Sequence, residues 1–235
     1  MSPSGSISLE NFNRSRMTTP LEISPADYHS RLQVNRDNIF DADSYLSKSV
    51  LWELKKSSLW RWRNAPSTFG GSAAADWGSV VDCLTTTPDE IDDLVAVSPY
   101  DSFRTNESKE WKAEQVAAGK IVMSSKQMIE AATAAERLKN HHIAAALVHN
   151  SRKQVVLLNK VKLADYPAVN LKALVDLAPV TGPYLVDIKT TNTLTPRALS
   201  NKIADMGYGA QAGLYLKLWN LCLLYTSDAA DDGLC

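Results

Sequence analysis

The run YLVDIKTT, residues 184–191, sets Asp187 and Lys189 two positions apart in an apolar, β-type stretch. Alternate side chains on a strand share a face, so the acid and the amine stand side by side while Tyr184, Val186 and Ile188 fill the other face. An acid two residues before a lysine also occurs at Glu53–Lys55, Glu107–Lys109 and Glu110–Lys112, but only Asp187–Lys189 lies in an apolar strand. Asp176 closes the preceding run VNLKALVDL. The short connection APVTGPY would fold the two runs back antiparallel and set Asp176 opposite Asp187. Two bare carboxylates at that range repel unless a cation lies between them. Oxygen-only ligands suit Mg²⁺ or Mn²⁺ rather than zinc. A lysine beside such a cation can orient or activate a water, or stabilise charge on a phosphoryl oxygen.

Downstream, YGAQAGLYLKLW places Gln211 and Tyr215 four apart, on one face of a helix whose other faces carry Leu214, Leu216 and Leu218. Upstream, Lys48, Lys55, Lys56, Arg61 and Arg63 alternate with Trp52, Trp60 and Trp62. That mixture suits either a DNA-facing patch or a packed aromatic core. His141 and His142 are adjacent, so on a helix they would not face each other, and they read as a surface pair. The acidic run 89–93, DEIDD, reads as a solvated turn.

The elements that must position these residues follow from periodicity and breakers. Residues 25–33 open with Ser-Pro and predict a short helix. Residues 44–66 predict a helix capped by Ser47 or Ser49, with Val50, Leu51 and Leu54 on one side and Pro66 closing it. Around Trp77, Val80, Val81 and Leu84 a second helix packs closely and ends before Pro88. Short extended pieces are expected at 95–98 and 121–124. Between them lies a helix over 108–120, stopped by Gly119. Residues 125–149 are helical with a break near Asn140. Three β runs follow, at 153–161, 169–179 and 182–191, and the chain then returns to helix. Helices, three strands and helices again predict an α/β or α+β domain around one sheet.

Composition narrows the field. The chain has 235 residues, 25 basic and 26 acidic side chains, four His and three Cys. With 45% hydrophobic and 22% charged residues, its bulk is neither disordered nor fibrous. A net charge of -1 excludes a globally basic nucleic-acid binder but not a locally basic groove. No apolar run approaches the ~20 residues that span a bilayer. The first residues lack a signal-peptide stretch, and three Cys make no disulfide framework, so the expected compartment is the cytoplasm. Residues 1–24 are polar and aperiodic and are expected to be a flexible tail. Residues 222–232, CLLYTSDAADD, look like the translation of a sequencing-library adapter. Residues 222–235 are therefore expected to be artefact, and the natural chain to continue differently.

An Asp closing one strand, D-x-K in the next and Q-x-x-x-Y on a following helix together resemble the PD-(D/E)xK nuclease superfamily. The closer resemblance is to its phage and prophage branch, related to exodeoxyribonuclease VIII and the RecB-type nuclease domains. LSKSVLWELKKSSLWRWR resembles the serine-rich helix start of that branch, and WGSVVDCLTTTPDEIDD its G-x-x-x-H/D stretch. The resemblance runs over residues 44–220. It implies a restriction-endonuclease-like core over residues 25–221, a central mixed sheet flanked by helices, with the last strand missing. It implies that Asp187 is the central metal ligand, Asp176 the second acid, the Ile188 carbonyl a further ligand and Lys189 the catalytic lysine. Asp82 falls where many relatives place a metal-touching His. Gln211 and Tyr215 would hold their helix at the site and contact the DNA backbone. Relatives with an iron–sulfur cluster carry four cysteines; here only Cys83 is credible, and no cluster is expected.

The sequence therefore predicts an Mg²⁺-dependent exodeoxyribonuclease acting on linear duplex ends in phage-type recombination or repair, with Lys55 and Arg61 in its DNA patch. The resemblance further implies a homo-oligomeric ring and a single-strand annealing partner. Two other readings stay open. One is a non-catalytic DNA-binding or scaffolding module on the same fold. The other is a nuclease serving CRISPR adaptation or a helicase complex.

Overall fold

Serine side chains start five of the ten described α-helices, because a hydroxyl oxygen can accept from one of the first backbone N–H groups. The computed structural model describes residues 23–64, 71–162, 165–182 and 184–228. Most of the expected tail, Pro66 and residues 229–235 therefore lie outside the described residues. Two compact units result. One takes in the described residues of Met1–Pro66, Val156–Leu174 and Thr195–Cys235, the other those of Ser67–Val155 and Val175–Leu194.

In the first unit, α1 (Pro25–Ser30) starts at Ser24, whose side chain accepts from the Asp27 N–H, with proline in the first turn. Strand β1 (Tyr45–Leu46) leads into α2 (Lys48–Lys56), capped by Ser47, which accepts from the Val50 N–H. The single helix expected over 44–66 is in fact two. Ser57 is extended, and Ser58 restarts the chain as α3 (Leu59–Asn64) by accepting from the Arg61 N–H at 3.2 Å. Consecutive serines offer the backbone side-chain partners outside the helix, which is why the pattern breaks there. Later in this unit come α9 (Pro196–Asp205) and α10 (Tyr208–Asp228). Gly207 joins them with φ +64. The Trp52 ring covers it so closely that a Cβ at 207 would sit 2.5 Å from the indole. Side chains of α2 also donate to the carbonyls that end α9. Trp52 Nε1 and Lys56 Nζ donate to the Asp205 oxygen at 3.1 and 2.8 Å, and Lys48 Nζ donates to the Met206 oxygen.

Two long strands, β4 (Ser151–Val161) and β5 (Val169–Pro179), form with β1 a sheet of order β1-β5-β4. β1 runs parallel to β5, with Tyr45 opposite Asn170 and Leu46 opposite Leu171. The Val180 N–H donates to the Asn150 oxygen at 2.9 Å, so the end of β5 lies beside the start of β4 and the sheet is mixed. Lys172 on β5 is buried at 7% exposure. Its ammonium donates to the carbonyls of Tyr28 and Leu32 and lies 4.1 Å from the Tyr28 ring, and burial pulls its pKa down to about 8.

The second unit is built on α4 (Ala73–Thr86), which starts at Ser72. A 3-10 turn, Pro88–Glu90, and a short α5 (Ile91–Leu94) follow, so the solvated turn expected at 89–93 is two short helical turns. Strands β2 (Val95–Val97) and β3 (Ile121–Met123) pair in parallel around α6 (Asn106–Ala117). Ser124 and Gln127 form a capping box at the head of α7 (Ser125–Lys139). The break expected near Asn140 precedes α8 (Ala144–His149). His141 and His142 are exposed and lie in this break rather than on a helix; His141 Nδ1 accepts from the Ile143 and Ala144 N–H groups at 3.3 and 3.4 Å. Val80, Val81, Val95, Met123 and Ala131 form the core, with Trp77 and Leu84 packed against it.

The third strand, expected over 182–191, is reduced to one antiparallel bridge between Leu177 and Val186. Those residues exchange both hydrogen bonds, at 3.1 and 3.0 Å. The next ladder bond is absent because the Ile188 N–H donates instead to the Asp176 carboxylate, 2.6 Å away. Tyr184, expected on the packed face, is 45% exposed. The described chain is a mixed α/β fold with helices flanking a mixed sheet.

Candidate active site

All four acid and lysine positions singled out in the sequence fall in the second unit: Asp82, Asp176, Asp187 and Lys189. Asp176 sits on β5 between Val175 and Leu177, which are 0% and 1% exposed. The alternation that buries those neighbours in the core turns the aspartate to the other face. Its Oδ2 accepts the Ile188 N–H, which fixes the carboxylate against the 186–189 segment. Asp187 and Lys189 form a direct ion pair, and both side chains reach solvent. Lys189 Nζ also lies 3.4 Å from the Ile188 carbonyl oxygen.

Asp82 comes from α4. Val80 and Val81 anchor that helix in the core, and Gly78 faces the 187–190 segment, where a Cβ would make an ordinary contact with Thr190 Oγ1 at 3.4 Å. Asp82 Oδ2 accepts from Gln154 Nε2 at 2.7 Å. Its Oδ1 is fully buried and has no hydrogen-bond partner among the described residues.

The electrostatics show how closely these groups act on one another. Burial pushes Asp82 up from 3.8 to about 6; the Gln154 hydrogen bond and the Lys189 charge pull it down, and Asp187 pushes it up. Asp176 rises further, to about 7, first through burial and then through repulsion by Asp82 and Asp187, against the pull of the Ile188 N–H and Lys189. Asp82 and Asp176 therefore cost more to ionise in the fold, chiefly through burial and further through a neighbouring carboxylate. An orphaned buried carboxylate oxygen, in an all-oxygen set that resists ionisation, fits a hard divalent cation. Among the described residues no three His, Cys, Asp or Glu side chains converge closely enough to enclose a metal by themselves. Charge repulsion acts over longer range than ligation, so the two facts agree.

A family model for the PDDEXK-like domain of unknown function (DUF3799) matches residues 62–223. The chain belongs to this family. No curated protein and no solved structure matches the chain. As a PDDEXK-like domain it has a nuclease-type fold, consistent with a restriction-endonuclease-like core, and nucleases of this superfamily usually use divalent metals.

The remaining expected site residues of this PDDEXK-like domain lie in its other unit. On α10, Gln211 (9% exposed) and half-buried Tyr215 share the buried face with Leu214 and Leu218, while Leu216 turns outward. Lys55 and Arg61 are exposed, and Lys55 Nζ lies 4.7 Å from the Trp52 ring. The three tryptophans divide between the two sequence readings. Trp62 is buried, with Nε1 donating to Glu53 at 3.1 Å, whereas Trp60 is 75% exposed. Among the described residues no helix is long and apolar enough to cross a membrane. Sequence reasoning missed Gln154. It stands in a β run as one polar residue among several, and only its backbone and its partner in the fold set it apart.

Proposed function

We propose that this PDDEXK-like domain is a metal-dependent DNA exonuclease of the exodeoxyribonuclease VIII-like branch. It hydrolyses phosphodiester bonds at the ends of linear duplex DNA, in phage-type recombination or repair. The observation that carries this reading is the buried, mutually repelling pair Asp82 and Asp176 beside the Asp187–Lys189 ion pair. Such a set is costly to keep ionised near neutral pH unless a cation neutralises it. Its oxygen-only chemistry fits Mg²⁺, with Mn²⁺ as a substitute.

In this reading Asp176, Asp187 and the Ile188 carbonyl would hold the cation, and Asp82 would offer a further oxygen. A divalent cation bound there supplies a Lewis acid for the scissile phosphate and a water of lowered pKa. Lys189, paired with Asp187, directs its ammonium to the attacking water and to charge developing on the phosphoryl oxygens. Water oxygen joins phosphorus and gives up a proton to solvent as the phosphorus–oxygen bond to the leaving strand breaks, and the leaving oxygen takes a proton from solvent. Lys55 and Arg61 give exposed positive charge for the DNA backbone, and Gln211 and Tyr215 complete the contacts. A single-strand annealing protein and a homo-oligomeric ring are the proposed assembly, in the cytoplasm of a bacterial host.

The test is an end-labelled linear duplex incubated with Mg²⁺ or with EDTA. Expected is Mg²⁺-dependent loss of nucleotides from the ends, reduced by about 10³-fold in Asp187→Ala with melting largely preserved. A well-folded protein that binds DNA ends without Mg²⁺ and never cuts them would refute the proposal in favour of a non-catalytic binding module.

A further inference from the structure

We infer that Gln154 is a positioning residue of the acid cluster, holding the Asp82 carboxylate so that its buried Oδ1 stays available to a divalent cation. Among the described residues Gln154 is the one non-glycine with positive φ, at 51°. L side chains disfavour that left-handed region, and glutamine is not among the residues enriched there. Within strand β4 the turn takes the residue out of simple alternation, as a bulge does, and re-aims its side chain. Both amide hydrogens find acceptors on α4. Nε2 lies 2.7 Å from Asp82 Oδ2 and 3.2 Å from Thr86 Oγ1. Thr86 Oγ1 in turn donates to the Asp82 carbonyl at 2.8 Å, so its own proton is committed and its lone pairs face the glutamine.

This bridge clamps two successive turns of α4 and occupies one oxygen of Asp82. The other oxygen remains buried and without a hydrogen-bond partner among the described residues. A disfavoured backbone persists where its surroundings enforce it, and here it delivers an amide to a carboxylate of the proposed site. Outer-shell partners that orient ligating carboxylates typically govern metal affinity or activity by about 10–100-fold. The inference rests on the nuclease reading, because it takes the Asp82 carboxylate as part of a cation site.

The test titrates Mn²⁺ alone, without DNA, into the metal-free parent, Gln154→Gly and Gln154→Asn, followed by electron paramagnetic resonance. Glycine accepts the left-handed backbone and deletes the amide; asparagine tolerates the backbone and keeps a shorter amide. Expected is a Gln154→Gly variant that melts in EDTA at least as high as the parent but binds Mn²⁺ about tenfold or more weakly. Gln154→Asn should fall between the two. A parent that binds Mn²⁺ and a glycine variant that binds it within about twofold would overturn the positioning role and leave the nuclease reading standing. A parent that binds no Mn²⁺ would overturn both. A glycine variant that melts well below the parent, with Gln154→Asn restoring melting and Mn²⁺ affinity together, would make Gln154 a residue of the fold alone.

Discussion

Replacing Asp82 by Asn should make the metal-free protein more stable near pH 8, although it removes a charged member of the proposed site. The ordinary value for this carboxyl is 3.8, and in the fold burial raises it to about 6. Between those values the folded chain holds the proton more tightly than the unfolded chain does. Stability from Asp82 is therefore fully present below 3.8 and is lost as the pH rises through about 6. At about 1.4 kcal/mol per tenfold change in proton affinity, ionising Asp82 costs the fold on the order of 3 kcal/mol above that range. Asparagine carries no such cost. Its oxygen can keep the Gln154 hydrogen bond, while its amide takes the buried Oδ1 position, which has no hydrogen-bond partner among the described residues. Because the new amide is itself buried, a net gain of about 1–2 kcal/mol is expected, or about 2–8 °C in Tm for a chain of this size. Repulsion on Asp176 should fall as well, moving its pKa down. The assay is thermal unfolding by circular dichroism in EDTA, parent against Asp82→Asn, over a pH series. The advantage should vanish below the ordinary carboxylate range, grow through about 6 and level off above it. An Asn variant that melts lower than the parent near pH 8, or a difference flat with pH, would refute the claim that Asp82 carries an uncompensated buried charge.

Further expectations follow from the same geometry. Millimolar Mg²⁺ should raise the Tm of the parent by an amount set by mass action, about 2.7 kcal/mol at a hundredfold excess over Kd, and Asp176→Asn should lose most of that shift in a thermal titration. Leu177→Ala removes a side chain at 1% exposure that also makes the bridge to Val186, and should cost about 2–5 kcal/mol in urea unfolding. Gly207→Ala sets a Cβ against the Trp52 indole at φ +64 and should lower stability by about 1–3 kcal/mol in the same experiment.

Local chemistry carried much of this molecule in its sequence. The Ser-Pro start of α1, the serine cap of α2 and the break near Asn140 all act within a few residues, so spacing alone reveals them. The acid and amine at 187 and 189 were legible for the same reason. The chain could not announce that the 182–191 run forms one bridge instead of a strand, because the Ile188 N–H is taken by a carboxylate on the neighbouring strand. Nor could it show that Ser57 and Ser58 divide a helix whose apolar pattern runs on through them. Gln154 is the clearest case. Its left-handed backbone and its amide bridge to Asp82 and Thr86 join residues about seventy positions apart. Only folding, which buries Asp82 and leaves one of its oxygens without a partner among the described residues, gives that glutamine something to hold.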